Sequence, residues 1–398
     1  MTKTATAPTV NNPAMAPRSG VQRLLSLDVV RGITIAFMIM VNNNGGRGSW
    51  GFMNHAEWNG LTPTDLVFPT FAFVIGVSIV FAFSARLARG ASRGELAKHT
   101  VQRAVILIVF GIIVNSFPFF HLAHMRFYGV LQRLAVCYLV VGLFYLYDQR
   151  ASTKWIAVAA ALVGYWVLVR WVPIPGIGMP GRDVPFMDMN QNLVSWLDRH
   201  VFPHHLYLYY PDHNGRDPEG LLSDLPALGT TLMGVLAGIW LRTSRSVKAK
   251  SAGLALACAA SLVVGYLWSL EFPLNKNMWT SSFVLVAGGY SLALLTIAYW
   301  AVEQMNWRKG WTWVWIVFGS NAIAAYMFSE LVLGILDNIH TGANPRDPRS
   351  NLLGWVQYHT FAHIPNPGWA AFAYSVSFCA FCFIPVWILY RKKIFLKI

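Results

Sequence analysis

Long apolar runs alternate with short polar segments along almost the whole chain. A run of about 20 apolar residues, coiled as a helix, matches the hydrocarbon thickness of a bilayer. The pattern predicts spans at about 24–42, 64–86, 101–118, 129–147, 155–172, 224–241, 252–270, 279–300, 311–336 and 369–390. The predicted fold class is therefore all-α, a polytopic transmembrane bundle of about ten spans with polar outer loops. The eighth and ninth runs are long enough to tilt or break, and Asn321 is the candidate break in the ninth. Two connections, 173–223 and 337–368, are longer than a tight link requires. The first holds Asp188, Asp198, His200, His204, His205, Tyr210, Asp212, His213, Asp217 and Glu219, with a short helix predicted near 191–199. The second holds Asp337, His340, Asp347, Trp355, His359 and His363. Loops of this kind suit capping a pocket and selecting a polar ligand.

Residues 1–22, rich in Thr, Ala, Pro and Asn, read as a disordered cytoplasmic tail, and 23–398 as a single transmembrane domain. The first apolar run carries Asp28 and Arg31 and is followed by no small-residue cleavage site, which argues against a cleaved signal peptide. Composition sharpens this. Hydrophobic residues make up 55% of the 398 and charged ones 12%, which excludes an ordinary soluble globular domain. The net charge of +14 raises the question of nucleic acid, but no soluble module gathers the basic residues into a binding face. They fall instead in alternate connections: Arg86, Arg89, Arg93 and Lys98; Arg150 and Lys154; Arg242, Arg245, Lys248 and Lys250; Arg308 and Lys309; and Arg391 to Lys393. That alternation is a topology signal. It assigns these connections and both termini to the cytoplasm, and turns the His55 segment, 118–128, 173–223, 271–278 and 337–368 outward. Cys137, Cys258, Cys379 and Cys382 all lie in apolar runs and read as packing residues, so neither a disulfide nor zinc is expected.

The stretch between the first two spans concentrates candidate chemistry. His55 lies among Asn54, Glu57, Trp58 and Asn59, and Asp65 follows at the start of the second span. Imidazole exchanges protons near neutral pH, and a carboxylate folding back on it would fix its tautomer. Asn42 closes the first span, either as a helix-end group or as a donor to an oxygen gaining charge. Asp28 and Arg31 share a helix face, as an ion pair or as part of a site. Arg103 and Arg133 are either interfacial side chains or phosphate contacts. Lys276, flanked by Asn275 and Asn277, is unusual as an outward cation. Ser281, Ser282, Ser320, Asn321 and Glu330 lie in apolar helices and are expected to face the bundle interior. No P-loop, dinucleotide fingerprint, H-E-x-x-H or G-x-S-x-G occurs, which disfavours ATP-driven transport and soluble-hydrolase chemistry.

Several blocks carry a family resemblance: SLDVVRG, the Asn of MVN, NHAEWNGLTPTDLVFPTFAFVIG, YGVLQRLAVCY, DPEGLLSDLPALGTTLMG, FPLNKNMWTSSFVL and GSNAIAAY. In this order, over most of 23–335, they resemble the transmembrane acyltransferases related to heparan-α-glucosaminide N-acetyltransferase. The resemblance implies a bacterial inner-membrane enzyme that takes acetyl from cytoplasmic acetyl-coenzyme A and gives it to an amino sugar outside. It implies that His55 is catalytic and that Asn42 matches a functionally important asparagine; Asp65 as the orienter of His55 is the reading of the residues themselves. A slightly longer stretch between that asparagine and His55 leaves Asn43 and Asn44 open for the role. Trp58, Asn59, Asn275, Lys276 and Glu219 are the candidates for the acceptor. Arg31, Arg103, Arg133, Ser282 and Asn321 are those for acetyl-coenzyme A. Transfer through an acetyl-His55 intermediate and direct transfer are both open, as are monomer and homo-oligomer. The alternative is a transporter for a sugar or peptidoglycan fragment. Transporters are often built from repeated halves, and the 42–65 block has no counterpart in the second half. A membrane scaffold would not account for so many polar residues at helix ends.

Overall fold

The computed structural model describes residues 24–46, 48–207, 215–308, 310–342 and 350–396. The expected tail at 1–22 lies outside the described residues, as do Tyr210, Asp212, His213 and Asp347. The helices are α1 (Leu25–Asn42), α2 (Val67–Leu87), α3 (Arg93–Ser116), α4 (Val130–Tyr147), α5 (Ala151–Trp171), α6 (Leu193–Val201), α7 (Asp224–Leu241), α8 (Val247–Trp268), α9 (Ser281–Tyr299), α10 (Trp311–Ser320), α11 (Ala322–Asn338), α12 (Leu352–Val356) and α13 (Pro367–Arg391). Among the described residues, nine helices are long and apolar enough to cross a membrane. The pair α10–α11, bent by 77° at Asn321, makes ten if it counts as one span. The protein is an all-α, multi-pass membrane protein.

Local signals set the helix ends. α3 begins two turns before its apolar run because Ser92 and Glu95 form a reciprocal cap. Ser92 Oγ accepts from the Glu95 amide at 3.1 Å, and Glu95 Oε2 accepts from the Ser92 amide at 3.1 Å. The break between α10 and α11 is a built feature. The Asn321 amide donates to the Ile394 carbonyl at 3.1 Å, and its oxygen accepts from the Leu396 amide at 3.0 Å, so it ties the chain's final segment to the bend.

Small residues let the helices meet at backbone distance. A Cβ on Gly76 would stand 2.0 Å from the Thr231 carbonyl oxygen, and one on Gly234 1.9 Å from that of Phe73, so α2 and α7 cross with no side chain between them. Lipid supplies no hydrophobic drive for helix association, and close van der Waals contact of this sort takes its place. This crossing fixes α2, and Asp65 lies in the helical turn 63–66 that leads directly into it.

The bundle has two chemically distinct ends. One gathers Arg86, Arg89, Arg242 and the Asp148–Arg150–Lys154 cluster. At the other, the segment after α1, the turn before α9 and the long 173–223 connection interlock. Gly60 donates to the Leu274 carbonyl at 2.8 Å, and Trp58 Nε1 to that of Met187 at 2.8 Å. The predicted helix in that connection is α6, capped by Asn192, whose Oδ1 accepts from the Ser195 amide at 2.8 Å. Arginines also occur at this end, but as partners of local groups. Arg199 donates to the carbonyls of Asn190 and Gly215, and Arg216 to Asn190 Oδ1.

Candidate active site

His55 stands where the loop after α1 meets the start of α2. Thr62 ends the loop and Pro63 opens a helical turn. Asp65 caps that turn: its Oδ2 accepts from the Thr62 amide at 2.9 Å, from Thr62 Oγ1 at 3.0 Å and from the Ala56 amide at 3.1 Å. The other carboxylate oxygen, Oδ1, lies 2.7 Å from His55 Nδ1. Asp65 is 1% exposed and His55 50% exposed, so a buried, fixed carboxylate holds an open imidazole. A carboxylate only accepts, so Nδ1 carries the proton and Nε2 keeps a lone pair. The orienting pair expected from the sequence is present, and its rigidity derives from a local cap.

Lys276 reaches the same ring from the turn before α9. Its Nζ is 3.3 Å from both Nδ1 and Nε2. In the ring plane, a point equidistant from both nitrogens would collide with ring carbon. The ammonium therefore sits over the ring face and leaves the in-plane lone pair of Nε2 open. The turn that presents it is closely tied. Asn275 Oδ1 accepts from the Met278 amide at 2.8 Å, the Trp279 amide donates to the Lys276 carbonyl at 3.0 Å, and Trp279 adopts φ +52°. A bulky residue in the left-handed region is strained and persists only where its surroundings fix it. Trp279 is fully buried, packed against Phe68 and Phe283, with Nε1 donating to Thr230 at 3.1 Å.

Behind the mouth lies a network that the sequence did not reveal as a unit. Arg126 pairs with Asp217 and Glu219, and its guanidinium also lies over the Tyr207 ring. Burial pushes Glu219 up, but the charges of Arg126, Lys276 and Arg133 outweigh it and hold the carboxyl below its ordinary value. Arg126 carries the same signal that singled out Lys276, a cation in a short connection that the Lys/Arg alternation leaves otherwise poor in them.

Several candidates are placed differently from the expectation. Arg133 does not line the cavity that Arg31 and Arg103 share. It is buried beside the 217–224 segment, donating to Asp224 at 2.9 Å, to the Pro218 and Gly220 carbonyls and to Ser223, with the Trp279 ring beneath it. Its position near the start of α4 puts it at the His55 end, and those partners use its donors. Glu219 is committed to Arg126. Asn59 and Asn275 bond each other at 3.1 Å and stitch loop to turn. Trp58 forms wall, with Arg216 over its ring. Ser282 donates to the Phe272 carbonyl, and Asn321 bonds the Ile394 and Leu396 backbone at the bend. Asn42 Nδ2 donates to Glu330 at 2.8 Å. Asn43 is buried against Tyr374. It is Asn44 that braces the His55 segment, donating to the Met53 carbonyl at 3.1 Å and to Asn54 Oδ1 at 2.8 Å.

Arg31 and Arg103 do come together. Both line a cavity of about 340 Å³ among α1–α4, α10 and α11, with Tyr138, Ser78 and Ser320 as further polar groups. It reaches from Leu396 to Met38 and Tyr326. Asn42 and Glu330 follow those last two residues by one helical turn. Arg31 donates to Ser78 at 2.9 Å and to the Gly319 carbonyl at 3.2 Å. Arg103 donates to Tyr138 at 3.1 Å, and its buried Nε has no hydrogen-bond partner among the described residues.

The sequence profile described as heparan-alpha-glucosaminide N-acetyltransferase, catalytic, matches residues 23–272. The chain is 28% identical to the mouse (Mus musculus) heparan-alpha-glucosaminide N-acetyltransferase, over 96% of this chain and 61% of the relative. To the human (Homo sapiens) protein of that name it is 29% identical, over 94% and 60%. The chain thus spans about three-fifths of the length of these relatives. The profile covers more than half of the chain, including α1, His55, Asp65 and the Arg126 network, and the protein belongs to the heparan-α-glucosaminide N-acetyltransferase catalytic family.

Proposed function

We propose that this chain is a membrane-embedded acetyltransferase that moves acetyl from acetyl-coenzyme A to the amine of a glucosamine-type sugar at the His55 end. The observation that carries this reading is the 2.7 Å contact between His55 Nδ1 and a buried, triply hydrogen-bonded Asp65, with Nε2 open. The names of the relatives supply the reaction class and the acceptor.

The residues divide the work. Nε2 accepts the proton that the attacking amine loses and returns it to the departing sulfur. Asp65 fixes the tautomer and stabilises the imidazolium formed in between. Nε2 is equally the atom that would carry acetyl in a two-step route. The donor occupies the cavity lined by Arg31 and Arg103, whose guanidinium groups suit phosphate oxygens and whose apolar walls suit a long flexible arm. The same apolar lining argues against a sugar path and so against the transporter reading. The basic end faces the cytoplasm, where acetyl-coenzyme A is made, and the His55 end faces outward across a bacterial inner membrane.

Labelled acetyl transfer from acetyl-coenzyme A to glucosamine by the purified protein in detergent tests the activity. Transfer by wild type and its loss in His55→Ala is the expected result. Full transfer by a folded His55→Ala protein would refute the role of His55. Single cysteines at 93 and 204, probed with an impermeant reagent in intact cells, test orientation. Labelling at 204 alone is expected, and labelling at 93 reverses the assignment.

A further inference from the structure

An acyl transfer develops negative charge on the carbonyl oxygen, and a group must meet it. The asparagines near His55 already spend side-chain donors within the chain. Both N–H bonds of the Asn44 amide are directed at Met53 and Asn54, Asn43 is buried against Tyr374, and Asn42 donates to Glu330. The cation at the imidazole is Lys276. Its stem rises from a turn that Asn275 and the strained Trp279 hold in shape, so the ammonium is delivered to the ring by a rigid base. It stands over the ring face, not along a lone pair, so it can remain there while Nε2 takes a proton.

We propose that Lys276 is a catalytic residue of the transfer, its ammonium meeting the thioester carbonyl oxygen as that oxygen gains charge. The proposal rests on the acetyltransferase reading above. The amine nitrogen bonds to the carbonyl carbon and the carbonyl π electrons move onto oxygen, beside the Lys276 ammonium. His55 Nε2 takes the amine proton. The oxygen electrons then re-form the carbonyl, the C–S bond breaks with its pair on sulfur, and the imidazolium returns the proton to give the thiol.

Only the protonated lysine can do this. The groups facing it are His55, the carboxylates of Glu219 and Asp65, and the guanidiniums of Arg133 and Arg126. Burial draws the Lys276 ammonium below the ordinary lysine value, Glu219 and Asp65 oppose that, and Arg133 and Arg126 add to it. The working form is present below that lowered value and is lost as pH rises through it. The wild-type rate should therefore fall on an alkaline limb below the usual lysine range.

The test measures steady-state acetyl transfer to glucosamine against pH for wild type, Lys276→Met and Lys276→Arg, with coenzyme A binding as the folding control. Lys276→Met should lower kcat by about 10²–10³-fold, the loss expected for one oxyanion donor. Lys276→Arg should keep part of the turnover and lose the alkaline limb, because guanidinium stays charged. A Lys276→Met protein with intact kcat and a raised KM for glucosamine would make Lys276 an acceptor contact only and overturn the proposal. An unchanged alkaline limb in Lys276→Arg would overturn it too, even if Lys276→Met does not fold. Absence of transfer by wild type would remove the acetyltransferase reading and this inference with it.

Discussion

The mouth around His55 and the cavity around Arg103 treat polar groups in opposite ways. Around His55 the polar groups are paired within the chain: Asp65 accepts from His55, Thr62 and Ala56, Asn59 bonds Asn275, and Arg126 is clamped by two carboxylates. The cavity is lined mainly by apolar side chains, and the Nε of Arg103 is buried there without a partner among the described residues. An unpaired buried polar group is costly. The first arrangement suits a reaction centre, whose groups must be fixed before charge moves. The second suits a ligand with its own negative charge. Two arginines that look alike in the sequence mark the contrast: Arg133 belongs to the paired region and Arg103 to the cavity.

The largest expected effect is at the mouth. His55→Ala should lower turnover by about 10²–10⁴-fold, with insertion and coenzyme A binding retained because the side chain is half exposed. Mass spectrometry of wild type mixed with acetyl-coenzyme A alone separates the two routes: a label on His55 marks the two-step one, and its absence marks direct transfer.

The two arginines give the next pair. Arg133→Ala strands Asp224 and the carbonyls of Pro218 and Gly220. Breaking a buried pair costs about 3–5 kcal/mol, so this variant should lose thermal stability and yield in detergent. Arg103→Ala should leave stability nearly unchanged and weaken acetyl-coenzyme A binding by roughly 10-fold or more, the loss of a charged hydrogen bond. Isothermal titration together with melting curves reads both. If the two variants exchange phenotypes, the division between paired network and ligand cavity is wrong.

The smallest effect concerns the α6 cover. Asp198 is fully buried with Oδ1 accepting from the Leu221 amide at 2.9 Å. Burial, helped by the nearby Asp217 charge, pushes its carboxyl up to about 7. The folded state therefore holds a proton that the unfolded chain releases near 3.8. That contribution is fully present below the unfolded value and is lost as pH rises through 7. The wild-type melting temperature should drop by a few degrees between about pH 5 and pH 8, at roughly 2 °C per kcal/mol. Asp198→Asn keeps the acceptor for Leu221 and should flatten that dependence.

Much of this was legible in the chain. The ten apolar runs, the break at Asn321, the helix at α6 and the His55–Asp65 pair all follow from local rules: hydrophobic length, a polar residue inside an apolar run, a cap, a short return from Thr62 to Asp65. What escaped depends on partners far apart in sequence. Arg133 meets Asp224 only because α4 and α7 pack side by side, and Arg126 meets Asp217 and Glu219 across the long 173–223 connection. The partners of Asn42, Ser282 and Asn321, which are Glu330, the Phe272 carbonyl and the Ile394–Leu396 backbone, are likewise invisible to spacing.

The sequence by itself determined a multi-pass helical protein with a histidine at a polar mouth, since bilayer thickness and backbone hydrogen bonding leave an apolar chain few alternatives. Only the tertiary structure decided which cation stands at that histidine. Lys276 lies 221 residues beyond His55, and no periodicity or local propensity links them. Their 3.3 Å approach depends on the glycine crossing that seats α2 and on the turn before α9 that aims the lysine back at the ring.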